Sequence, residues 1–377
     1  MKSKQLRDIT FILHRYIGLA VGFIAAIIGL TGSFLVFSPE LENFWVAFKF
    51  GHVIPQGDSL SIDAIFNIIN AAIANQSDIK IGAIILPKDA SFPYEARLWD
   101  SADKLIQMFI NPYTGEVIGS LKQDHNILRL ALHLHYELLA GQPGQIVAGI
   151  IGLLLFILSI TGLILWPGWR KLIAGFKIKW DAHPKRLNFD IHKVVGILVA
   201  VSFVLSGLTG FCWNFYDQSV PIIHALTFTP KPPEIASQPI RGQSPILLSQ
   251  ILEKADAAMP NAKTTHIRIA NKPEGVIRVL KKQNQDTSVY GESKVFLDQY
   301  SGQVLHIVDG RSLPLGDRIL NSFVPIHYGT FAGIYSRIFY IIVGLSPTVL
   351  FITGLVMWWH RRRIQPTNTN LGSSPQV

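Results

Sequence analysis

The sequence has a single cysteine, Cys212, among 377 residues. One cysteine excludes an intramolecular disulfide, a covalent Cys-x-x-Cys-His haem attachment, and iron–sulfur or zinc sites built from cysteine. The chain also lacks a phosphate-binding glycine loop, a Gly-x-Gly-x-x-Gly after a strand, a His-Glu-x-x-His and a Gly-x-Ser-x-Gly. We therefore expect no nucleotide or flavin domain, and any metal centre has to use histidine.

Charged residues are scarce as well. They make up 16% of the sequence, whereas 49% is hydrophobic, and the mean hydropathy is positive. This is more apolar surface than a soluble core of this length needs, so the composition predicts a membrane protein. The first apolar run is too long for a signal peptide and is followed by no small-x-small cleavage site, so we expect it to remain as a helix. Four segments are long enough to cross roughly 30 Å of hydrocarbon: about 12–37, 146–166, 191–213 and 337–359.

Basic residues flank these segments on one side only. They concentrate before the first span, between the second and third spans, and after the fourth span. By the positive-inside rule these flanks, including both termini, are cytoplasmic, and the connections 38–145 and 214–336 lie outside. The net charge of +9 is thus explained by topology, and a nucleic-acid surface is the weaker alternative because the basic residues form no single stripe.

Both outer connections follow the same plan. Each begins with an amphipathic helix, at 59–76 and 244–259, and continues with alternating strand-like runs. The turn at Tyr113-Thr114-Gly115 in the first matches Tyr300-Ser301-Gly302 in the second. The pattern predicts two small α+β domains and a chain built as a tandem duplication.

Two histidine motifs also occur twice, each at a constant offset. His14 returns as His192 (192 − 14 = 178), and His135 returns as His327 (327 − 135 = 192). Each histidine lies close to one end of a predicted span. The same offsets relate Thr31-Gly32 to Thr209-Gly210 and Thr161-Gly162 to Thr353-Gly354.

Ionisable groups at membrane depth are costly, so these four histidines are functional candidates. Two neutral imidazoles facing each other across an apolar slot are the ligands expected of a b-type haem held without covalent attachment. We predict one haem between His14 and His192 on the inner side and a second between His135 and His327 on the outer side. Arg15 and Lys193 follow their histidines directly and are expected to meet haem propionates. Glycines on the same helices would let the macrocycle approach the backbone: Gly18, Gly22, Gly29, Gly32, Gly196, Gly207 and Gly210.

The alternative is structural. A single histidine at a helix end is more often an interfacial residue, and small residues often serve helix packing. Recurrence in register favours ligation. His133 competes with His135 for the outer site, but on a helix the two point to nearly opposite sides. The second half has Pro325 at the position of His133, so we favour His135 and keep His133 as the alternative ligand.

These motifs resemble those of a known family. The LHRYIGL opening with GLTG, the LHYELLAG block with TGLILW, the IHKVVG return and the PIHYGTFAG ending with TGLVMWW are similar to the PepSY-associated transmembrane proteins, often called iron-regulated membrane proteins. That group includes bacterial inner-membrane ferric-siderophore reductases of the ferrioxamine type. The resemblance covers about residues 10 to 363. It implies a multi-pass protein of the bacterial inner membrane with two periplasmic PepSY-like domains, two b haems on the four histidines, and reduction of ferric iron delivered as a siderophore.

The expected organisation is therefore a membrane α-helical fold with four transmembrane helices in two tandem repeats and two extracytoplasmic α+β PepSY-like domains. The predicted order is transmembrane helix 1 (10–37), first periplasmic domain (38–125), interfacial helix (126–144), transmembrane helix 2 (145–166), cytoplasmic basic loop (167–189), transmembrane helix 3 (190–213), second periplasmic domain (214–318), interfacial segment (319–335), transmembrane helix 4 (336–360) and cytoplasmic tail (361–377).

The expected function is a di-haem electron-transfer protein that reduces ferric iron, as a ferric siderophore, on the periplasmic side. The electrons would come from a cytoplasmic reductase or from quinol. One alternative is a non-enzymatic, membrane-anchored PepSY module that binds or regulates an envelope protease or a peptide. Another keeps the haems but uses a different acceptor, such as copper.

Overall fold

The computed structural model describes residues 3–122, 127–240, 242–286, 288 and 290–362. Most of the predicted cytoplasmic tail lies outside the described residues. Within them, four helices are long and apolar enough to cross a membrane, as the sequence predicts. These helices are α1 (Ser3–Leu35), α5 (Gly141–Leu165), α7 (Pro184–Asn214) and α11 (Gly333–Arg362). The shorter helices are α2 (Ser38–Phe50), α3 (Ile62–Ile73), α4 (Ile127–Glu137), α6 (Leu172–Phe176), α8 (Tyr216–Leu226), α9 (Leu248–Ala258) and α10 (Leu315–Tyr328).

The four long helices form one compact unit. Helix α1 packs against α5, and α5 packs against α7. Two glycine contacts bring backbones close together. A Cβ built on Gly207 of α7 would lie 2.7 Å from the carbonyl oxygen of Gly152 on α5, and one built on Gly344 of α11 would lie 2.7 Å from that of Gly29 on α1. Small residues at helix crossings are typical of membrane bundles. The hydrophobic effect does not drive helices together in lipid, so close packing of the helices has to stabilise the bundle.

The substitution Gly207→Val is therefore expected to destabilise the bundle. Three extra carbons have no room against the α5 backbone, and overpacking of this kind costs about 1–3 kcal/mol. The control is Val201→Leu on the same helix, which adds one carbon to a side chain that is 65% exposed. Thermal unfolding in detergent should show a lower midpoint for Gly207→Val alone. Equal midpoints in the two variants would contradict the proposed role of Gly207 at this crossing.

The second unit contains the sheet. Its strands are β1 (Lys80–Ile85), β2 (Tyr94–Trp99), β3 (Leu105–Ile110), β4 (Val117–Lys122), β5 (Lys263–Arg268), β6 (Val276–Lys282), β7 (Ser293–Asp298) and β8 (Val304–Val308).

The two long connections between the membrane-length helices share this sheet instead of forming two separate domains. Its order is β4-β3-β2-β1-β5-β6-β7-β8, and every neighbouring pair is antiparallel. The halves join where β1 pairs with β5, with Ile84 opposite Ile267. Each half alone would leave the edge of its first strand unpaired, and pairing two such edges satisfies their N–H and C=O groups.

One hydrophobic core serves both halves. Helices α3 and α9 lie on the same face of the sheet and bury Ile65 and Ile251 against Ile84 and Ile267, all fully buried. Helix α3 begins after its cap residue Ser61, whose hydroxyl accepts a hydrogen bond from the Ala64 N–H. The predicted start of α9 at Ser244-Pro245 is wrong, because the helix begins at Leu248. The core positions alternate along β2, β6 and β7, so the residues between them face the other side of the sheet.

Candidate functional site

His14 and His192 come together inside the helical bundle. His14 lies on α1 and His192 on α7, and their ring centroids are 6.2 Å apart with the planes at 84°. They are 178 residues apart in sequence (192 − 14 = 178), so only tertiary packing places them side by side.

A threonine holds each of these rings. The Nδ1 of His14 is 2.9 Å from Oγ1 of Thr161 on α5, and the Nδ1 of His192 is 2.9 Å from Oγ1 of Thr353 on α11. Each threonine hydroxyl donates its own hydrogen to a carbonyl one turn earlier in its helix. The hydroxyl therefore accepts from Nδ1–H, which fixes the tautomer with the proton on Nδ1.

This tautomer leaves Nε2 with a lone pair. In the described part of the chain, Nε2 of His14 and Nε2 of His192 have no hydrogen-bond partner. A ring whose Nδ1–H is tied to a fixed acceptor, with Nε2 available, is the arrangement found in metal-ligating histidines.

The glycine after each threonine makes room for the imidazole. A Cβ on Gly162 would lie 3.3 Å from Cε1 of His14, and a Cβ on Gly354 would lie 3.6 Å from Cε1 of His192. The repeated Thr-Gly pairs thus have a physical role that the sequence alone did not assign: the threonine orients a histidine ring and the glycine accommodates it. Their recurrence at the histidine offsets was the available signal.

His135 is held in the same way by α1. Its Nδ1 lies 2.8 Å from the carbonyl oxygen of Ile28 and 3.3 Å from Oγ1 of Thr31. A Cβ on Gly32 would lie 2.9 Å from its Cε1. Desolvation lowers the pKa of His135, so its imidazole is neutral at pH 7. A third Thr-Gly pair, Thr31-Gly32, therefore contacts and orients a third histidine, His135.

His133 has different neighbours. Its ring makes a short contact with the carboxylate of Glu137 on its own helix and lies 3.3 Å from the hydroxyl of Tyr136. The two candidates for the outer ligand are thus separated by geometry, with His135 directed to α1 and His133 bound along α4. His327 lies on α10, where its ring contacts Tyr328. Its pairing with His135 stays a prediction of the sequence repeat.

The two basic residues that follow the histidines have unlike surroundings. The predicted role of Lys193 does not fit the structure: its amine is buried and donates to Oδ1 of Asp190 at 2.7 Å and to the Ala174 carbonyl at 2.8 Å. A buried amine already paired with a carboxylate is not available to a propionate. Arg15 lies over the rings of Phe11 and Tyr16, and its buried Nε has no partner among the described residues.

Four of the glycines predicted to admit a macrocycle fall into two groups with different surroundings. Gly29 and Gly207 serve the helix crossings described above, so the packing interpretation holds for them. Gly18 and Gly196 lie one turn beyond His14 and His192, on the same helix faces. A Cβ there would meet only Leu158 at 3.7 Å and Leu350 at 3.8 Å, so these positions keep the backbone open beside the histidine pair.

Comparison with known proteins agrees with this architecture. A family model described as the PepSY-associated TM region matches residues 11–361. No curated protein matches the chain. The matched segment includes both histidine motifs in both copies, the four long helices and the whole sheet. The chain therefore belongs to the PepSY-associated transmembrane family.

Proposed function

We propose that this chain is a di-haem b-type electron-transfer protein that reduces ferric chelates on the outer side of the bacterial inner membrane. The observation that carries the proposal is the His14–His192 pair. The two ring centroids are 6.2 Å apart. Because metal–imidazole bonds are about 2 Å long, both rings could hold one metal ion at this separation.

A haem suits this pair because the protein supplies only two ligands there. No group of three or more His, Cys, Asp or Glu able to hold a metal is found among the described residues. A b-type haem would need only two histidine ligands from the protein, and His14 and His192 would supply them. When bound, it supplies a one-electron ferric/ferrous couple. Gly18 and Gly196 leave space beside the ligands, and Arg15 offers a cation to a propionate.

Contacts related by the sequence offsets support a tandem duplication. His14–Thr161 corresponds to His192–Thr353 (192 − 14 = 178; 353 − 161 = 192), and the same offsets relate the Gly29–Gly344 and Gly207–Gly152 contacts. By the same relation we assign His135 and His327 to a second haem. The His135 ring is oriented as the first pair is, with Nδ1 bound to a carbonyl and a threonine.

The direction of electron flow follows from the basic flanks. They place His14 and His192 at the cytoplasmic face and His135, His327 and the sheet outside. One electron per turnover would come from a cytoplasmic reductase or from quinol and convert Fe(III) in the bound chelate to Fe(II). Hard oxygen chelators hold Fe(II) less tightly, so reduction would release the iron.

The test uses the purified full-length chain. We expect oxidised and dithionite-reduced spectra with the bands of low-spin b haem and a haem-to-protein ratio of about two. The reduced protein should be reoxidised on mixing with a ferric chelate and not with the matching gallium(III) chelate, which accepts no electron. A protein without haem bands would eliminate the proposal and leave the PepSY binding module as the better candidate.

The threonines provide a sharper prediction. Thr161→Val and Thr353→Val remove the acceptor of the ligand Nδ1–H while keeping the side-chain shape, and loss of such outer-shell partners costs about 10–100-fold in metal affinity. We expect weaker haem retention and a changed reduction potential. The control is Thr348→Val on α11, because the buried Thr348 hydroxyl has no hydrogen-bond partner among the described residues. A redox titration checks the result, and equal behaviour of Thr353→Val and Thr348→Val would contradict it.

A further inference from the structure

A cavity of about 590 Å³ opens in the unit that contains the sheet. It lies between α2 and the sheet face opposite α3 and α9, and Arg97 of β2 and His266 of β5 line it. Aromatic side chains form much of the wall, among them Phe44, Phe50 and Phe109. Sites for small molecules typically have about 300–1,000 Å³ and mostly apolar walls with a few polar groups, so this cavity has the size and composition of a ligand site.

His266 is the polar group least accounted for by the fold. It is 6% exposed, and its Nδ1 has no hydrogen-bond partner among the described residues. Its ring packs edge-on against Tyr290, with centroids 4.6 Å apart. Burial and the neighbouring Arg97 lower the pKa of His266 to about 4, so the ring is neutral at pH 7. A buried nitrogen without a partner is costly, and a ligand oxygen in the cavity would satisfy it.

The same face of the sheet carries unbalanced positive charge. Arg268 and Arg278 lie directly opposite each other on β5 and β6, and Ala83 links Arg268 to Arg97 in the same row. Like charges in directly opposed positions destabilise a sheet. In the described part of the chain neither Arg268 nor Arg278 forms an ion pair. Burial and the two neighbouring arginines lower the pKa of Arg268, as expected for a crowded cationic row.

Nearby carboxylates are already engaged. Glu95 accepts from Arg97 at 2.8 Å and, like Glu42, from the amide of Gln107. The Asp89 carboxylate accepts from the hydroxyl and the N–H of Ser91. Three lysines at the cavity add further positive charge without a salt bridge among the described residues, although Asp89 lies near two of them, Lys88 and Lys263. The third is Lys282.

We propose that this cavity binds the ferric substrate and that the substrate is an anionic catecholate chelate. The inference rests on the proposed function, because it names the substrate of that reduction. A ferric tricatecholate carries three negative charges, which would offset Arg97 and the lysines of the cavity wall, and also Arg268 and Arg278 beside the cavity on the same sheet face. Its flat rings would pack on Phe44, Phe50 and Phe109, and one of its oxygens would accept a hydrogen bond from His266 in the tautomer with the proton on Nδ1. An aliphatic, cationic hydroxamate chelate has neither property.

Binding can be tested separately from reduction with gallium(III) complexes. The full-length protein in detergent is titrated with the gallium complex of a hexadentate tricatecholate and with that of a linear trihydroxamate, at low and moderate salt. The test variants are Arg268→Gln/Arg278→Gln and His266→Phe. The charge-matched control is Lys231→Gln/Lys254→Gln, in which both lysines are exposed and Lys254 lies on α9, on the other face of the sheet.

We expect the tricatecholate complex to bind at least about tenfold more tightly than the trihydroxamate complex, and the double-arginine variant to lose about tenfold or more while the control keeps its affinity. His266→Phe should also weaken binding. Equal affinity for the two complexes, or equal loss in the control, would overturn the proposal. Because gallium accepts no electron, these titrations measure binding alone. Binding of the tricatecholate complex to a protein without haem bands would refute the proposed function and support the proposed binding site. Haem bands without binding of the tricatecholate complex would refute the binding site and support the proposed function.

Discussion

Replacing His192 by alanine is expected to reduce the bound haem from about two per chain to about one and to abolish transfer of electrons from the cytoplasmic side to an external acceptor. The ring centroid of His192 is 6.2 Å from that of His14, and its Nδ1 is fixed by Thr353, so alanine would remove one of the two proposed ligands of this haem. His14→Ala should have the same effect. The double variant should be no worse than either single one, because two axial ligands act as a unit.

The control for this prediction is the histidine at the N-cap of the same helix. His183 is exposed, and its ring caps the start of α7 by accepting from the Lys185 N–H at 3.3 Å. His183→Asn keeps a capping acceptor and should keep the full haem content. A haem assay by pyridine haemochrome, together with the reduced spectrum, measures the difference. In a His192→Gly variant, added imidazole should restore the lost band. Full haem content in His192→Ala would show that this pair holds no haem.

His135→Ala is expected to remove the second haem, whereas His133→Ala should retain it. The two residues lie two positions apart on one short helix, so general damage to α4 would affect both variants alike. The Nδ1 of His135 is bound to the Ile28 carbonyl and its ring fits beside Gly32, while His133 is bound to Glu137 of its own helix. The orientation of the His135 ring toward α1 therefore distinguishes it from His133 as the expected ligand of the second haem.

A redox titration reports this result directly. We expect two midpoints in the native protein and in His133→Ala, and a single midpoint in His135→Ala. Loss of the second midpoint in His133→Ala with its retention in His135→Ala would reverse the assignment of the ligand. Such a result would leave the proposal for His14 and His192 untouched, since those residues lie on other helices.

Much of the secondary structure was predictable because it depends on local patterns. Apolar runs of membrane length predict α1, α5, α7 and α11, and period-two alternation predicts most strands. The serine followed by proline at 244–245 predicted that α9 begins at Ser244. The helix begins at Leu248 instead, because the packing of Leu248 into the core shared with Ile251 determines its first turn. Local cap signals are weak where tertiary burial decides the boundary.

The repeated Thr-Gly pairs show how far the site could be predicted. Their constant offsets marked them as related, but a hydrogen bond between His14 and Thr161 joins residues 147 apart, and no local rule gives such a partner. The prediction for Lys193 failed for the same reason. The repeat offset relates Lys193 to Arg15 and therefore predicted the same role for both. However, Lys193 donates to the carboxylate of Asp190, three residues before it, which balances its charge. The first copy of the repeat has Ile12 at the position of Asp190, so Arg15 has no such partner there.

The sequence by itself determined the membrane class, the four spans, the two copies of each histidine motif and the family, because hydropathy, spacing and repeats are properties of the order of residues. Only the tertiary structure decided that the two outer connections share one sheet and core, that His14 and His192 meet, and which hydroxyl orients each ring. These outcomes depend on edges and helix faces distant in sequence, and their pairing is selected by packing and by the need to satisfy buried hydrogen-bonding groups.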